Sequence, residues 1–406
     1  MRTKIATKSI HKTYDIILVG GGIMGASSAW FLSKNSDFSG RILVIEKDFS
    51  YKFSSTSHTN SCLRQQFSSA LNIRISQFAA DFIKNFKKYM GKDSCVPEIK
   101  LQNFGYMYLA QTQEMADTLQ ENYEVQVANG AGTKLLAPEE ISKAYPFYFL
   151  DDIILGSHNK IDEGYWDSWT VFEWLRRSSR HMGVEYIQNE AVAINLGSKG
   201  KKVLSVTLRT GEKVSCEYLV NASGTRAIET AKMAGIKIPV EPRKRYSWVF
   251  SAESPLDREL PLTIDPSGIH FRSDGPKTYL AGGIGDVDPK VDYTDFAMES
   301  DLWLNKVWPV ILHRIPQFSA LKIINEWVGH YAYNYFDQNA IVGAHSYVSN
   351  FIFLNGFSGH GLQQAPAMGR AISELLVYGE YRSLDMSPFS YHRIERGEKF
   401  IEKAII

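Results

Sequence analysis

Two kinds of hydrophobic pattern alternate along the chain and sort it into two interleaved parts. Tyr14–Val19 is a nearly unbroken apolar run, which predicts a strand buried on both faces. Three glycines follow, and the apolar stretch through about Ser33 predicts a helix. Arg41–Ile45 predicts a second buried strand, ending at Glu46. Residues 51–66 are polar and rich in Ser and Thr, and read as a loop. Ile73, Ile75, Phe78, Phe82, Ile83 and Phe86 then recur at helical spacing within Leu71–Tyr89, with Gly91 as the stop. Strand, loop, helix and strand in so short a span open a parallel sheet.

Near residue 95 the texture changes. Short aromatic strand candidates, such as Phe104–Ala110 and Trp248–Ala252, alternate with loops, so 96–160 and 226–328 predict a second domain on an antiparallel sheet. Residues 161–225 carry a helix over Trp169–Met182 and strands ending at Asn221–Gly224, and are read as a return to the first domain. A last strand, Phe351–Leu354, runs into a glycine-rich turn and a helix from about Leu362 to Val377. The expected fold class is α/β. A discontinuous Rossmann-like domain (14–95, 161–225 and 329–406) is interwoven with an α+β domain (96–160 and 226–328).

A chain of 406 residues, 44% hydrophobic, is too long for one ordinary core and suits two domains. Forty-five basic and 44 acidic residues leave a formal charge of +1, so no whole-chain field attracts nucleic acid or an anionic membrane. Cys62, Cys95 and Cys216 are odd in number and widely spaced, which predicts no disulfide framework and a reducing compartment. His58, His181, His270, His330 and His360 lack metal-ligand spacing, and no metal is expected. No apolar run reaches the roughly 20 residues that span a bilayer. Residues 1–13 are basic, acid-free and rich in Ser and Thr, faintly like a transit peptide, but are read as a solvated tail. A soluble, cytoplasmic protein is the expectation.

The chemistry lies in the glycines. Gly20-Gly-Gly-Ile-Met-Gly25 follows a strand and opens a helix. Gly20 permits the tight turn, Gly22 lets backbone approach a pyrophosphate, and Gly25 lets helix pack on strand. Phosphate charge then sits at the helix N-terminus among free N–H groups. Glu46, 21 residues beyond Gly25, stands where an acid accepts hydrogen bonds from a ribose diol. This motif alone leaves nicotinamide and flavin dinucleotides open. Asn221-Ala-Ser-Gly224 closes a strand with small residues, as close passage beside a dinucleotide requires. Asn355-Gly-Phe-Ser-Gly-His-Gly-Leu-Gln-Gln364 precedes a helix, and Gly356, Gly359 and Gly361 clear its loop for a flat ring. Pro366 is expected in the first turn of that helix. A helix N-terminus aimed at the pyrimidine end of an isoalloxazine would stabilise reduced flavin.

These segments resemble the FAD-dependent amine and amino-acid oxidoreductases of the D-amino-acid oxidase superfamily, which include sarcosine oxidase, dimethylglycine dehydrogenase and glycine oxidase. The resemblance runs from Tyr14 to the C-terminus. It is closest to the FAD-dependent oxidoreductase domain-containing proteins, among them a mitochondrial complex I assembly factor. Val240-Glu-Pro-Arg-Lys-Arg-Tyr246, Tyr335-Phe-Asp-Gln-Asn339 and Gly356–Ala365 carry that closer likeness. The resemblance implies FAD contacts at Gly20, Gly22, Ile23, Met24, Gly25, Glu46 and Lys47. It extends them to Ser57, His58, Asn60, Leu63, Val192, Ala222, Ser223, Gly224 and Tyr331, and to Gly356, Ser358, Gly359, His360, Gly361 and Leu362. It places Arg64 where sarcosine oxidase-like members grip a substrate carboxylate, a task that suits a planar fork. His360 is the expected stabiliser of reduced flavin, and Tyr333, Tyr331 and His270 are expected in the pocket.

The departures narrow these expectations. Gln363 stands where sarcosine oxidases carry a carboxylate-holding lysine. Tyr331 stands where they tether flavin through cysteine, so the FAD is expected to be non-covalent. The carboxylate arginine of glycine and D-amino-acid oxidases has no counterpart near Gln363. Tyr279–Gly285 lacks the oxygen-activating lysine, with Lys277 just before it. The expectation is oxidation of the C–N bond of a carboxylate-bearing, N-substituted amine, by a dehydrogenase more than an oxidase. Electrons would pass to a quinone or an electron-transfer flavoprotein. The alternatives are a flavin-stabilised assembly scaffold and an oxidoreductase of 2-hydroxy acids.

Overall fold

In a computed structural model, which describes residues 6–91 and 94–404, strands Ile42–Glu46, Thr13–Val19, Lys213–Asn221 and Phe351–Asn355 lie side by side and parallel. Glu185–Gln188 extends one edge in parallel, and Ile341–Ala344 closes the other antiparallel. The unbroken apolar run has its reason here. Ile16 and Leu18 enter the core beneath helices Ile23–Lys34, Ala70–Lys84, Ser168–His181 and Gly361–Tyr378, while Ile17 and Val19 enter a core on the opposite face. An antiparallel ribbon, Ala191–Leu196 and Val203–Leu208, leads into Lys213–Asn221 and helps to cover that second face.

A second sheet of eight strands runs in the order Leu321–Asn334, Val240–Ala252, Thr278–Gly283, His270–Ser273, Leu262–Ile264, Tyr106–Ala110, Leu155–Asn159 and Lys134–Leu136. Its pairings are antiparallel except Leu262–Ile264 with Tyr106–Ala110. Strand alternation splits its residues. Met107, Trp248, Phe250, Phe271 and Ala281 fill this domain's own core. Tyr108, Ser247 and His270 turn to the other side, where they bond the loop 60–64 of the first domain.

Several expectations need correction. The helix over 71–89 breaks at Asn85, whose φ is −105° and ψ 22° and whose side chain bonds Asp81, giving Ala70–Lys84 and Phe86–Met90. Pro366 sits one turn deeper than expected, because Gly361 already begins the helix. The expected domain boundary at 329 falls inside strand Leu321–Asn334, which pairs along its length with Val240–Ala252. Residues 6–12 are not a free tail: Gln188 N–H donates to Ala6 O, Ile10 N–H to Glu185 and Ser215 N–H to Lys12 O. Among the described residues no helix is long and apolar enough to cross a membrane.

Candidate active site

The turn 20–25 joins the first strand to its helix. Gly20 has φ +104°, and a Cβ there would overlap the Ala222 carbonyl, so strand 213–221 ends hard against the turn. Ala222, Ser223 and Gly224 are thus brought beside it, with Ser223 Oγ donating to Asn221 Oδ1 at 2.6 Å. Helix 23–34 has no side-chain cap and no acid in its first turn. Ile23 N–H donates to Thr56 Oγ1 at 3.1 Å, and the next N–H groups, from Met24 and Gly25 onward, face the turn. An uncapped, acid-free helix start behind a side-chain-free turn is the cradle that a pyrophosphate fills. Glu46 lies at the tip of the neighbouring strand, accepting from Gly21 N–H at 2.8 Å and Asp48 N–H at 2.9 Å. Its burial raises its pKa against those two bonds. The residues fit FAD.

Loop 61–69 has almost no secondary structure, so side chains must satisfy its backbone. Arg64 N–H donates to Gln363 Oε1, Gln65 and Gln66 N–H to Glu163 Oε1, Phe67 N–H to Gln65 O and Ser68 N–H to Glu402 Oε1. Gln363, at the lysine position of the sarcosine oxidases, therefore works as a backbone clasp. Glu163 is fully buried, and desolvation pushes its pKa up to about 7 although Gln66 and Asn159 also donate to it.

The Arg64 side chain is 2% exposed. Nη1 donates to Tyr108 Oη at 2.8 Å and to Gln66 O at 3.2 Å; Nη2 donates to His360 Nε2 at 3.1 Å and to Ala404 O. The Phe67 ring lies 4.2 Å below the guanidinium. All four terminal N–H groups thus rest on neutral acceptors. Arg64 forms no ion pair with a carboxylate of the described residues.

His360 caps helix 361–378, and burial followed by the Arg64 charge lowers its pKa well below the ordinary value. The imidazole is neutral and its Nε2 accepts. The expected charge beside reduced flavin therefore cannot come from His360; it stands one hydrogen bond away, on Arg64. Gly359, at φ +93°, has no room for a Cβ because the Tyr331 ring lies against it. Gly356 and Gly361 complete the turn, Leu362 follows in the helix, and Ser358 Oγ accepts from Asn334 N–H at 3.0 Å. Tyr331 in turn lies under Arg245, whose Cζ is 4.4 Å from the ring centre.

The other expected residues fall into separate groups. His270 Nε2 meets Asn60 Nδ2 at 3.0 Å; burial, then Arg272 and Arg245, lowers its pKa to about 4. Tyr333 stacks under Arg243 at 4.0 Å and accepts from Gln338. No bond joins either of them to Arg64. His58 Nδ1 meets Ser54 O at 3.1 Å, Ser57 Oγ donates to Tyr51 O, and Leu63 is buried in its pairing with Gly164. Lys47 pairs with Glu190 at 3.8 Å, and Val192 is 39% exposed on its ribbon. Sequence reasoning missed Thr56, Tyr108, Glu163 and Glu402. Only Thr56, inside the Ser/Thr-rich loop, had a local signal; the others reach the site from distant segments.

Glycine turn, acid-tipped second strand and glycine loop before a helix define a dinucleotide-binding flavoprotein. The family described as FAD dependent oxidoreductase (DAO) matches residues 15–375, and the chain belongs to it, with FAD as its cofactor. The chain is 34% identical over 425 residues to FAD-dependent oxidoreductase domain-containing protein 1 of Xenopus laevis, covering 97% of this chain and 85% of that protein. Against the protein of the same name from Mus musculus it is 35% identical, covering 97% and 87%. Among solved structures, L-proline dehydrogenase from P. horikoshii superposes with a TM-score of 0.83 at 26% identity, covering 97% of this chain and all of that one.

Proposed function

We propose that this oxidoreductase oxidises the C–N bond of a carboxylate-bearing, N-substituted amine, with amine and carboxylate on one small molecule. The observation that carries this reading is Arg64: a buried cation whose acceptors are all neutral, beside the glycine loop. Burying a charge without a counter-charge costs several kcal/mol, and a substrate carboxylate would return it. That carboxylate exchanges with one of the neutral acceptors, while the Tyr108 hydroxyl keeps its own proton to donate. FAD, when bound, supplies the hydride acceptor at N5, and the substrate imine is hydrolysed by water. The protein's task is to orient, to neutralise charge and to exclude water rather than to move protons. The similarity to an L-proline dehydrogenase supports a secondary amine with an α-carboxylate.

Dehydrogenase over oxidase is part of this proposal. Reduction of oxygen to superoxide gains from a nearby uncompensated cation. Strand Thr278–Gly283 offers no lysine, Arg272 on the adjacent strand is held by Asp274 at 2.7 Å, and His360 is neutral. Electrons would leave to a quinone or an electron-transfer flavoprotein. Anaerobic bleaching of the bound flavin against L-proline, N-methyl amino acids, opines and 2-hydroxy acids tests the reading. Bleaching by 2-hydroxy acids alone would overturn it.

A further inference from the structure

The family match ends at residue 375, yet a segment beyond it reaches the site. Residues Phe400–Ala404 cross back over the first domain on a fixed base. Phe400 N–H donates to Asp337 Oδ2, Asn339 Nδ2 donates to Phe400 O, and Asp337 is itself held by Arg393. Glu402 then points inward and is fully buried. Its Oε1 accepts from Ser68 N–H at 2.8 Å, Ser68 Oγ at 2.6 Å and Ala404 N–H at 3.0 Å; its Oε2 accepts from Asn72 Nδ2 at 2.9 Å and Ser69 Oγ at 3.3 Å. Lys403 N–H returns a bond to Ser68 Oγ at 2.9 Å. Two residues past Glu402, the Ala404 carbonyl accepts from Arg64 Nη2.

Five donors on one enclosed carboxylate is full occupancy of its acceptor sites. Those donors come from the two pieces that must keep register: the loop and helix start following Arg64, and the strap itself. Glu163 holds the same loop from the opposite side, through Gln65 and Gln66. The loop has no ladder of its own, so its orientation is only as firm as these clasps.

We infer that Glu402 is a positioning residue for the substrate carboxylate: it locks the C-terminal strap to the loop and thereby sets the plane of the Arg64 fork. The inference rests on Arg64 as the carboxylate site. A guanidinium tilted out of plane binds a carboxylate through one bond instead of two, since its geometry is a fixed fork. Losing one such bond weakens binding about 10-fold.

The test titrates acetate, and acetamide as its uncharged counterpart, into FAD-loaded protein and follows the flavin spectrum. Wild type, Glu402→Gln, Arg64→Met and the double variant are compared, each checked for full FAD content. Glu402→Gln keeps one acceptor oxygen but turns a donor toward Asn72, so it loosens the strap without emptying the site. Expected is an acetate dissociation constant raised about 10-fold in Glu402→Gln, acetamide unaffected, and no further change when Glu402→Gln is added to Arg64→Met. An unchanged or tighter acetate affinity in Glu402→Gln overturns the inference; tighter binding would make the strap a competitor of the ligand. An effect that persists in the Arg64→Met background also overturns it. If Arg64→Met alone leaves acetate affinity intact, or wild type shows no acetate response, Arg64 is not the carboxylate site and the inference falls with that reading.

Discussion

Replacing Arg64 by methionine keeps the length of the side chain and removes every donor. Tyr108 Oη, His360 Nε2 and the carbonyls of Gln66 and Ala404 each lose a partner. At about 1 kcal/mol net per hydrogen bond, the four together are worth about 4 kcal/mol. Against this, a buried cation without a counter-ion carries a penalty of several kcal/mol that the variant no longer bears. The two nearly cancel, so the protein is expected to fold and to keep FAD, whose cradle at 20–25 lies in another turn. The ligand sees no such cancellation. A charge-assisted bond to a carboxylate is worth about 1.5–3 kcal/mol, which is about 10- to 150-fold in affinity. The assay is anaerobic reduction of bound flavin by L-proline or N-methylglycine at increasing concentration, which separates the dissociation constant from the limiting rate. Arg64→Met should raise the first by that factor. An unchanged dissociation constant in an FAD-replete variant would refute the reasoning and leave Arg64 as a structural residue.

Other outcomes follow from the same geometry. Acid precipitation should release free FAD from the purified protein; flavin retained by the pellet would contradict the absence of a tether at Tyr331. Glu46→Arg should weaken FAD binding by removing the ribose acceptor and the bond to Gly21 N–H, and equal FAD affinity would show that the acid serves only the turn. Glu163 has a folded-state pKa raised from 4.5 to about 7 by burial, so the fold favours its protonated form. Its contribution is fully present below the unfolded value and is lost as pH rises through 7, by about 3 kcal/mol at most. Denaturant unfolding at pH 5 and pH 8 should show this loss in wild type and not in Glu163→Gln; parallel curves would exclude it. In stopped flow, flavin reduced anaerobically should reoxidise slowly in aerated buffer and fast with an artificial acceptor. Rapid oxygen-driven reoxidation with stoichiometric peroxide would restore an oxidase.

Local pattern was enough to recognise the dinucleotide domain. The buried strand Thr13–Val19, the glycine turn and Glu46 lie within one βαβ opening, where each residue's role follows from its neighbours in the chain. The glycine loop 356–361 was legible for the same reason, since a helix start and an absence of side chains are visible in sequence. The family resemblance placed Arg64 near the substrate but carried no information about its partners. Those partners, Tyr108, His360 and Ala404, are 44, 296 and 340 residues away. Glu163 and Glu402 read in sequence as ordinary surface acids, yet they are fully buried. What places them is the irregular loop 61–69, which cannot satisfy its own N–H groups and must recruit carboxylates from wherever the fold brings them. The neutrality of His360 was equally out of reach, because it depends on burial and on the Arg64 charge beside it. Local hydrogen-bonding patterns and periodicity are written along the chain; desolvation and long-range satisfaction of polar groups exist only once the two domains close on each other.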